Sequence, residues 1–237
     1  MATITDITIA YSGQKIPQTP IDWKFRNLAN FVCDLYLQNI NGYKPNKVSK
    51  IVLQLRLTTV DADFTPTYFG SICNIFNGID EETYLSNSDT ENLLYLLDLL
   101  HNAIIKAATK ESWDIEVFIK AYDKIHKDNF QLYIALPEKK SKDGKIAKPF
   151  IEKDLKKSYL KVKVLADNKE KAITLIDKKN TYIFDSIYTL SKKVKWFDNN
   201  KFGLQVKDLN VQTYYSVSEN ILTSNLTFDD KMMIVPN

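Results

Sequence analysis

The chain has 237 residues, 44% apolar and 26% charged, the balance of a globular protein with a buried core rather than a disordered one. Its net charge of +3 conceals a division: residues 1–137 carry 12 Lys+Arg against 16 Asp+Glu, a balance of −4, whereas residues 138–237 carry 20 lysines, no arginine and 13 acids, a balance of +7. The whole chain has two arginines, Arg26 and Arg56, which argues against the bidentate phosphate and base-edge contacts that arginine makes best.

The N-terminus, MATITDITIAYSG, lacks a basic stretch followed by an apolar one, so no signal peptide is expected. Residues 3–9 alternate β-branched and polar side chains and predict a strand. Thr19, Pro20 and Asp22 suit a helix start. Ile21, Phe25, Leu28, Val32 and Leu35 then recur at helical spacing, and Gly42 ends the run. Residues 48–59 predict a strand with Ile51, Leu53, Leu55 and Leu57 on one face and Val52, Gln54, Arg56 and Thr58 on the other. Residues 67–76 (TYFGSICNIF) read as one further strand, with Gly70 at a bulge.

Ser88 and Glu91 form a capping box ahead of LLYLLDLLHNAIIKAATK, a helix apolar over most of its circumference and therefore central. Its most apolar part, Leu93 to Ile105, contains Asp98, His101 and Asn102 and is too short and polar to span a bilayer. A third helix is expected from Ser112 to Lys127, with Ile115, Phe118, Ile119, Tyr122 and Ile125 facing inward. Residues 130–136 predict a strand that Pro137 ends.

From 138 to 158 the chain is lysine-rich and predicts an exposed loop or linker. Residues 159–165 (YLKVKVL) then alternate strictly. Hairpins are expected around Lys178-Lys179-Asn180 and around Asn199-Asn200-Lys201, and Phe228-Asp229-Asp230-Lys231 resembles the same turn start. The expected fold is α+β: three helices with mixed strands over 1–137, a loop or linker over 138–158, and an antiparallel β-meander over 159–237, as two domains or one continuous one.

Motifs that carry chemistry are sparse. The six glycines, at 13, 42, 70, 78, 144 and 203, never come closer than eight apart, which excludes the dinucleotide fingerprint and the P-loop. Cys33, Cys73, His101 and His126 have no paired metal spacing; the cysteines read as buried free thiols and no metal or cofactor is expected. His101 lies one turn after Asp98, a pairing that suits either an oriented base or a helix-surface contact. Carboxylates need no local signature for metal-assisted phosphodiester chemistry, and Asp61/Asp63, Asp80/Glu81/Glu82, Glu138 and Glu152/Asp154 are the candidates.

The remaining candidate is an interaction face. Leu160, Val162 and Val164 face the core, leaving Tyr159, Lys161 and Lys163 outside; Lys193, Lys195 and Phe197 repeat this pattern on a later strand. Lysines interleaved with aromatics suit a single-stranded nucleic-acid platform, and equally the wet face of an antiparallel sheet. By exclusion, the expected function is a non-catalytic cytoplasmic protein-binding role, such as an immunity-type inhibitor of a bacterial toxin, with another protein as partner and no membrane. A single-stranded nucleic-acid binder and a carboxylate-only metal-dependent nuclease are the alternatives.

Overall fold

A computed structural model describes residues 3–17, 24–40, 42–56, 66–166, 169–180, 186–207, 210–228 and 234–236. The expectations for Thr19 to Asp22, Leu57, Thr58, Asp61, Asp63 and residues 229–231 fall outside them. The fold is α+β, in two compact units, Met1–Phe130 and Gln131–Asn237.

The first unit contains β1 (Asp6–Tyr11), α1 (Lys24–Asn39), β2 (Lys50–Arg56), β3 (Thr67–Phe69), β4 (Ile72–Gly78), α2 (Glu81–Ser86), α3 (Asp89–Glu111) and α4 (Ile115–Lys127). Its sheet runs β1-β2-β4-β3, parallel except for β3. The parallel pair β1–β2 needs a crossover, and α1 provides it, burying Phe25, Leu28, Val32 and Leu35. Ile51, Leu53 and Leu55 of β2 are buried as their alternation predicts, while Arg56 is exposed over the Phe76 ring.

Residues 67–76 are not one strand. Gly70, at φ +59°, turns the chain back on itself, so that Phe69 faces Ile72 in a β3–β4 hairpin. A positive φ is open to glycine at little cost, and here the Phe69–Ile72 pairing shows that it serves a tight turn.

The capping box forms at α3: the Ser88 amide donates to Glu91 at 2.7 Å and the Glu91 amide to Ser88 Oγ. This helix packs against α1, α4 and β4, so its broad apolar surface is covered on several sides. Ser112 ends α3 in the left-handed conformation instead of starting the next helix. Asp114 caps α4 by accepting from the Glu116 amide at 3.1 Å. The buried face of α4 is Phe118, Ala121 and Ile125, spaced three and four apart; Ile119 falls off that stripe and is exposed.

The second unit contains β5 (Leu132–Ala135), β6 (Lys139–Lys140), β7 (Ile146–Lys153), β8 (Lys157–Ala166), β9 (Lys169–Lys179), α5 (Ser186–Ser191), β10 (Lys195–Trp196), β11 (Lys201–Val206), β12 (Val211–Ser216), β13 (Ile221–Ser224), β14 (Leu226–Phe228) and β15 (Ile234–Pro236). Two antiparallel sheets, β5-β7-β8-β9 with β6 on β7, and β10-β11-β12-β13, share one core with α5. The pair β14–β15 forms a separate two-stranded sheet, with Leu226 packed against that core.

The segment 138–158 is no linker. Eight of its residues form β7, which pairs with β8 along its whole length. Ala147, Pro149 and Ile151 are buried opposite Val164, Val162 and Leu160, with Lys148 exposed between the first two and Phe150 buried as well. The turn entering β7 is held by Ser141 Oγ, which accepts from the Lys145 amide at 2.8 Å, with Gly144 at φ +92°.

The hairpin expected at Lys178-Lys179-Asn180 does not form there, because β9 continues through Lys179, opposite Lys157. Leu175 bulges out of register between Thr174 and Ile176, so both Leu175 and Ile176 reach the core. Residues 186–191 are helical: Ile187 and Leu190, three apart, are both buried. The hairpin at Asn199-Asn200-Lys201 is present, and Asp198 accepts from the amides of Asn200 and Lys201, both at 2.7 Å.

Candidate functional site

The six side chains of the expected interaction face do not share one sheet. Tyr159, Lys161 and Lys163 lie on the outer face of β8, with Leu160, Val162 and Val164 buried behind them. Lys195 is on β10 and Phe197 follows it, in the other sheet. Lys193 is on no strand; it lies in the turn after α5, its amide donating to the Leu190 carbonyl at 2.9 Å.

The lysines of β8 differ from those around β10–β13 in their ion pairing. On the β8 side each is matched by a carboxylate from a neighbouring strand: Lys161 by Glu152, Lys163 by Glu170 at 3.8 Å, and Lys157 by Asp177 at 3.0 Å. Hydrogen bonding to Asp177 raises the Lys157 ammonium above its ordinary range. The Tyr159 phenol is also raised, first by desolvation and then by Asp154 and Asp177. Cross-strand pairs of this kind each contribute modestly in water and reduce the local positive charge, while Lys148, opposite Lys163, is exposed.

Rings lie under lysines on both sides: Lys161 is 5.0 Å from the Tyr159 ring centre and Lys163 6.0 Å from Phe150, and the same contact recurs around β10–β13. Lys195 lies 5.8 Å from the Phe197 ring centre, Lys201 5.1 Å from Tyr214, and Lys171 of β9 5.3 Å from Tyr215. Among the described residues none of the three is ion-paired with a carboxylate. Phe197 and Tyr214 meet edge to face at 6.2 Å. Between Lys195 and Tyr214 the paired position is Gly203. A Cβ there would come within 2.0 Å of the Thr213 carbonyl oxygen, so the backbones approach too closely for any other residue. Lys201, Gly203 and Tyr214 were missed by sequence reasoning. The alternation of Lys201 and Gln205 with buried Phe202, Leu204 and Val206 is the signal that places Lys201 outside.

In the first unit both histidines enter a ring stack between helices. The Tyr36 hydroxyl lies 2.8 Å from His101 Nδ1, and His101 stacks on Tyr122 at 4.2 Å. The Tyr122 hydroxyl donates to Asp98 at 2.6 Å, and His126 packs on the other side of Tyr122 at 4.6 Å. Asp98 and His101 thus face separate tyrosines, so the carboxylate does not orient the imidazole as a general base requires. Burial lowers the His101 pKa, opposed by Asp98 and Asp123. The Tyr122 phenol is pushed up to about 12 by desolvation and its bond to Asp98.

The described candidate carboxylates are largely spent on structure. Asp80 caps α2 through the amides of Glu82 and Thr83, and Glu82 pairs with Lys15. Glu81 is only 4% exposed and accepts from the Tyr11 hydroxyl and from the amides of Gln14 and Lys15, tying the loop after β1 to α2. Asp154 holds the β7–β8 turn through the amides of Lys156 and Lys157. Glu138 is exposed beside β6. No group of three His, Cys, Asp or Glu among the described residues is arranged to hold a metal ion. Cys33 and Cys73 are free and buried, and burial pushes both thiols up, Cys73 to about 11.

Exposed apolar side chains concentrate at sheet edges. Of seven large ones among the described residues, five lie on the terminal strands of three sheets: Tyr68 (45% exposed) and Phe69 (79%) on β3, Tyr133 (52%) on β5, and Ile221 (55%) and Leu222 (43%) on β13. The other two, Leu85 and Ile119, are on helices. An edge strand presents unpaired backbone groups, and proteins ordinarily keep apolar side chains away from them.

Fold and surface together define a two-unit α+β protein with exposed apolar side chains on terminal strands of its sheets. No helix among the described residues is long and apolar enough to cross a membrane. No protein-family model, curated protein or solved structure matches this chain.

Proposed function

We propose that this is a non-catalytic protein-binding protein whose partners engage its free sheet edges. The observation that carries the reading is the placement of five of seven exposed large apolar side chains on β3, β5 and β13. Strand addition at such edges supplies main-chain hydrogen bonds for affinity and alternate side-chain positions for specificity. The candidate acids and histidines support it by contrast, since the hydrogen bonds and ion pairs they make stabilise caps, turns and helix contacts. An immunity-type inhibitor of a bacterial toxin, working in the cytoplasm, is one concrete form of this reading.

The test is capture of a partner from source cells on the tagged full chain, in parallel with the triple variant Phe69→Ser, Tyr133→Ser, Leu222→Ser. The reading expects a stoichiometric partner that the variant loses while keeping its thermal unfolding midpoint. Equal capture by both proteins would overturn it. For the inhibitor form, co-expression with a toxin encoded by the adjacent gene restores growth; no rescue removes that form alone.

A further inference from the structure

Among the three apolar edges, β13 is the one that no proline or lysine of the described strand and its flanks blunts. Pro66 immediately precedes β3, and Pro137 follows shortly after β5, with Lys139 and Lys140 of β6 beyond it on the same side of β7. Proline and lysine are the usual devices that keep an edge from pairing. Residues 220–225, spanning β13 and its flanks, contain neither, and no charge at all. All four residues of β13 are exposed.

The surroundings of β13 select the chemistry of what it pairs with. Tyr215 stands opposite Leu222, and Lys171 lies over the Tyr215 ring. The Lys171 ammonium donates to the Asn220 side-chain oxygen, which also accepts from the Tyr215 hydroxyl at 2.8 Å. A cation is thus fixed at the residue that begins the edge. On the opposite face Lys201 stands in the row Lys201–Ser216–Ile221. The single carboxylate between residues 210 and 228 is Glu219. A second copy of the chain would bring an uncharged β13 with the same lysines beside it and gain no charge complementarity, whereas an acidic strand is attracted.

Resting on the protein-binding reading, we infer that β13 takes up an extended acidic segment of a partner protein by strand addition, with an apolar side chain beside Leu222 and a carboxylate within reach of Lys171. Sheet alternation sets this pattern, because successive residues of the added strand face opposite sides. The lysines paired with carboxylates around β8 take no part.

The experiment uses the isotope-labelled full chain and two short capped peptides, one alternating valine with glutamate and one valine with lysine. Backbone amide shifts and exchange are followed at β3, β5 and β13. The inference expects the valine–glutamate peptide to shift and protect Ile221–Ser224, and to bind about tenfold more tightly than the valine–lysine peptide. Leu222→Lys, an exposed change that leaves the core untouched, abolishes this binding, and Lys171→Glu reverses the preference between the peptides. Equal binding of the two peptides overturns the acidic partner. Protection at β3 or β5 instead overturns the assignment to β13 and leaves edge binding standing. No response at any edge overturns both.

Discussion

The Tyr36 hydroxyl and His101 Nδ1 lie 2.8 Å apart, a hydrogen bond that joins α1 to α3 inside the first unit. Tyr36 is fully buried, and desolvation pushes its phenol far up, so it stays neutral and donates to or accepts from the imidazole according to the tautomer. The groups facing His101 are Tyr36 from α1, Asp98 from its own helix, and Tyr122, Asp123 and His126 from α4.

Stability therefore falls as the solution is acidified. Burial lowers the folded pKa of His101 below its ordinary 6.5, so the unfolded chain binds the proton first. This contribution is fully present above about pH 6.5 and is lost as pH falls from there through the lower folded value. Urea unfolding of wild type and His101→Gln at pH 7.5 and 5.5 checks it. The pH dependence is expected to be smaller in the variant; equal dependence in both would remove the claim.

Ser88→Ala is expected to destabilise the first unit by about 1 kcal/mol, the usual worth of an N-cap. It removes the acceptor for the Glu91 amide and one half of the capping box. The urea midpoint falls with an unchanged slope, and Ser88→Asp restores most of the loss.

Gly203→Ala is expected to cost about 1–3 kcal/mol or more through overpacking, because the new methyl meets the backbone of β12 and not a flexible side chain. Gly70→Ala is the comparison: its Cβ enters open space and only the positive φ opposes it. Thermal unfolding of the two variants should show the larger loss at Gly203.

Lys161→Ala and Lys163→Ala are expected to leave any weak binding to single-stranded DNA or RNA unchanged. Their charges are matched by Glu152 and Glu170, so releasing phosphate counterions through them gains little. Fluorescence anisotropy across a salt series checks this. Tight binding whose salt slope falls by about one per removed lysine would restore the nucleic-acid reading.

The elements readable from sequence are those whose local signals agree. Ser88 and Glu91 carry the helix start, and the strict alternation from Tyr159 to Leu165 carries both the strand and its buried face. Where composition conflicts with pattern, reading by composition fails. The lysines of 138–158 hide the alternation of Ala147, Pro149 and Ile151, and a proline inside β7 argues against a strand that the pairing with β8 nevertheless secures. Ile187 and Leu190 sit among aromatic and β-branched residues that favour strands, yet their spacing of three buries both on a short helix. The bulge at Leu175 shifts the strand's phase without a glycine to mark it.

The candidate surface was half legible for the same reason. Alternation finds which side of β8 is wet, but the partners of its lysines come from β7 and β9, through registers that no local pattern encodes. Edge position is likewise a property of the assembled sheet. Nothing in ILTS distinguishes a terminal strand from an internal one, and only the order β10-β11-β12-β13 makes Ile221 and Leu222 an exposed edge.

The central claim is that protein partners bind at sheet edges, and hydrogen–deuterium exchange of the full chain, alone and with the partner captured from source cells, tests it most directly. The account predicts slowed exchange at Thr67–Phe69, Leu132–Ala135 or Ile221–Ser224 in the complex, with the outer faces of the sheets little changed. A captured partner that leaves all three edges exchanging at their free rates would contradict it.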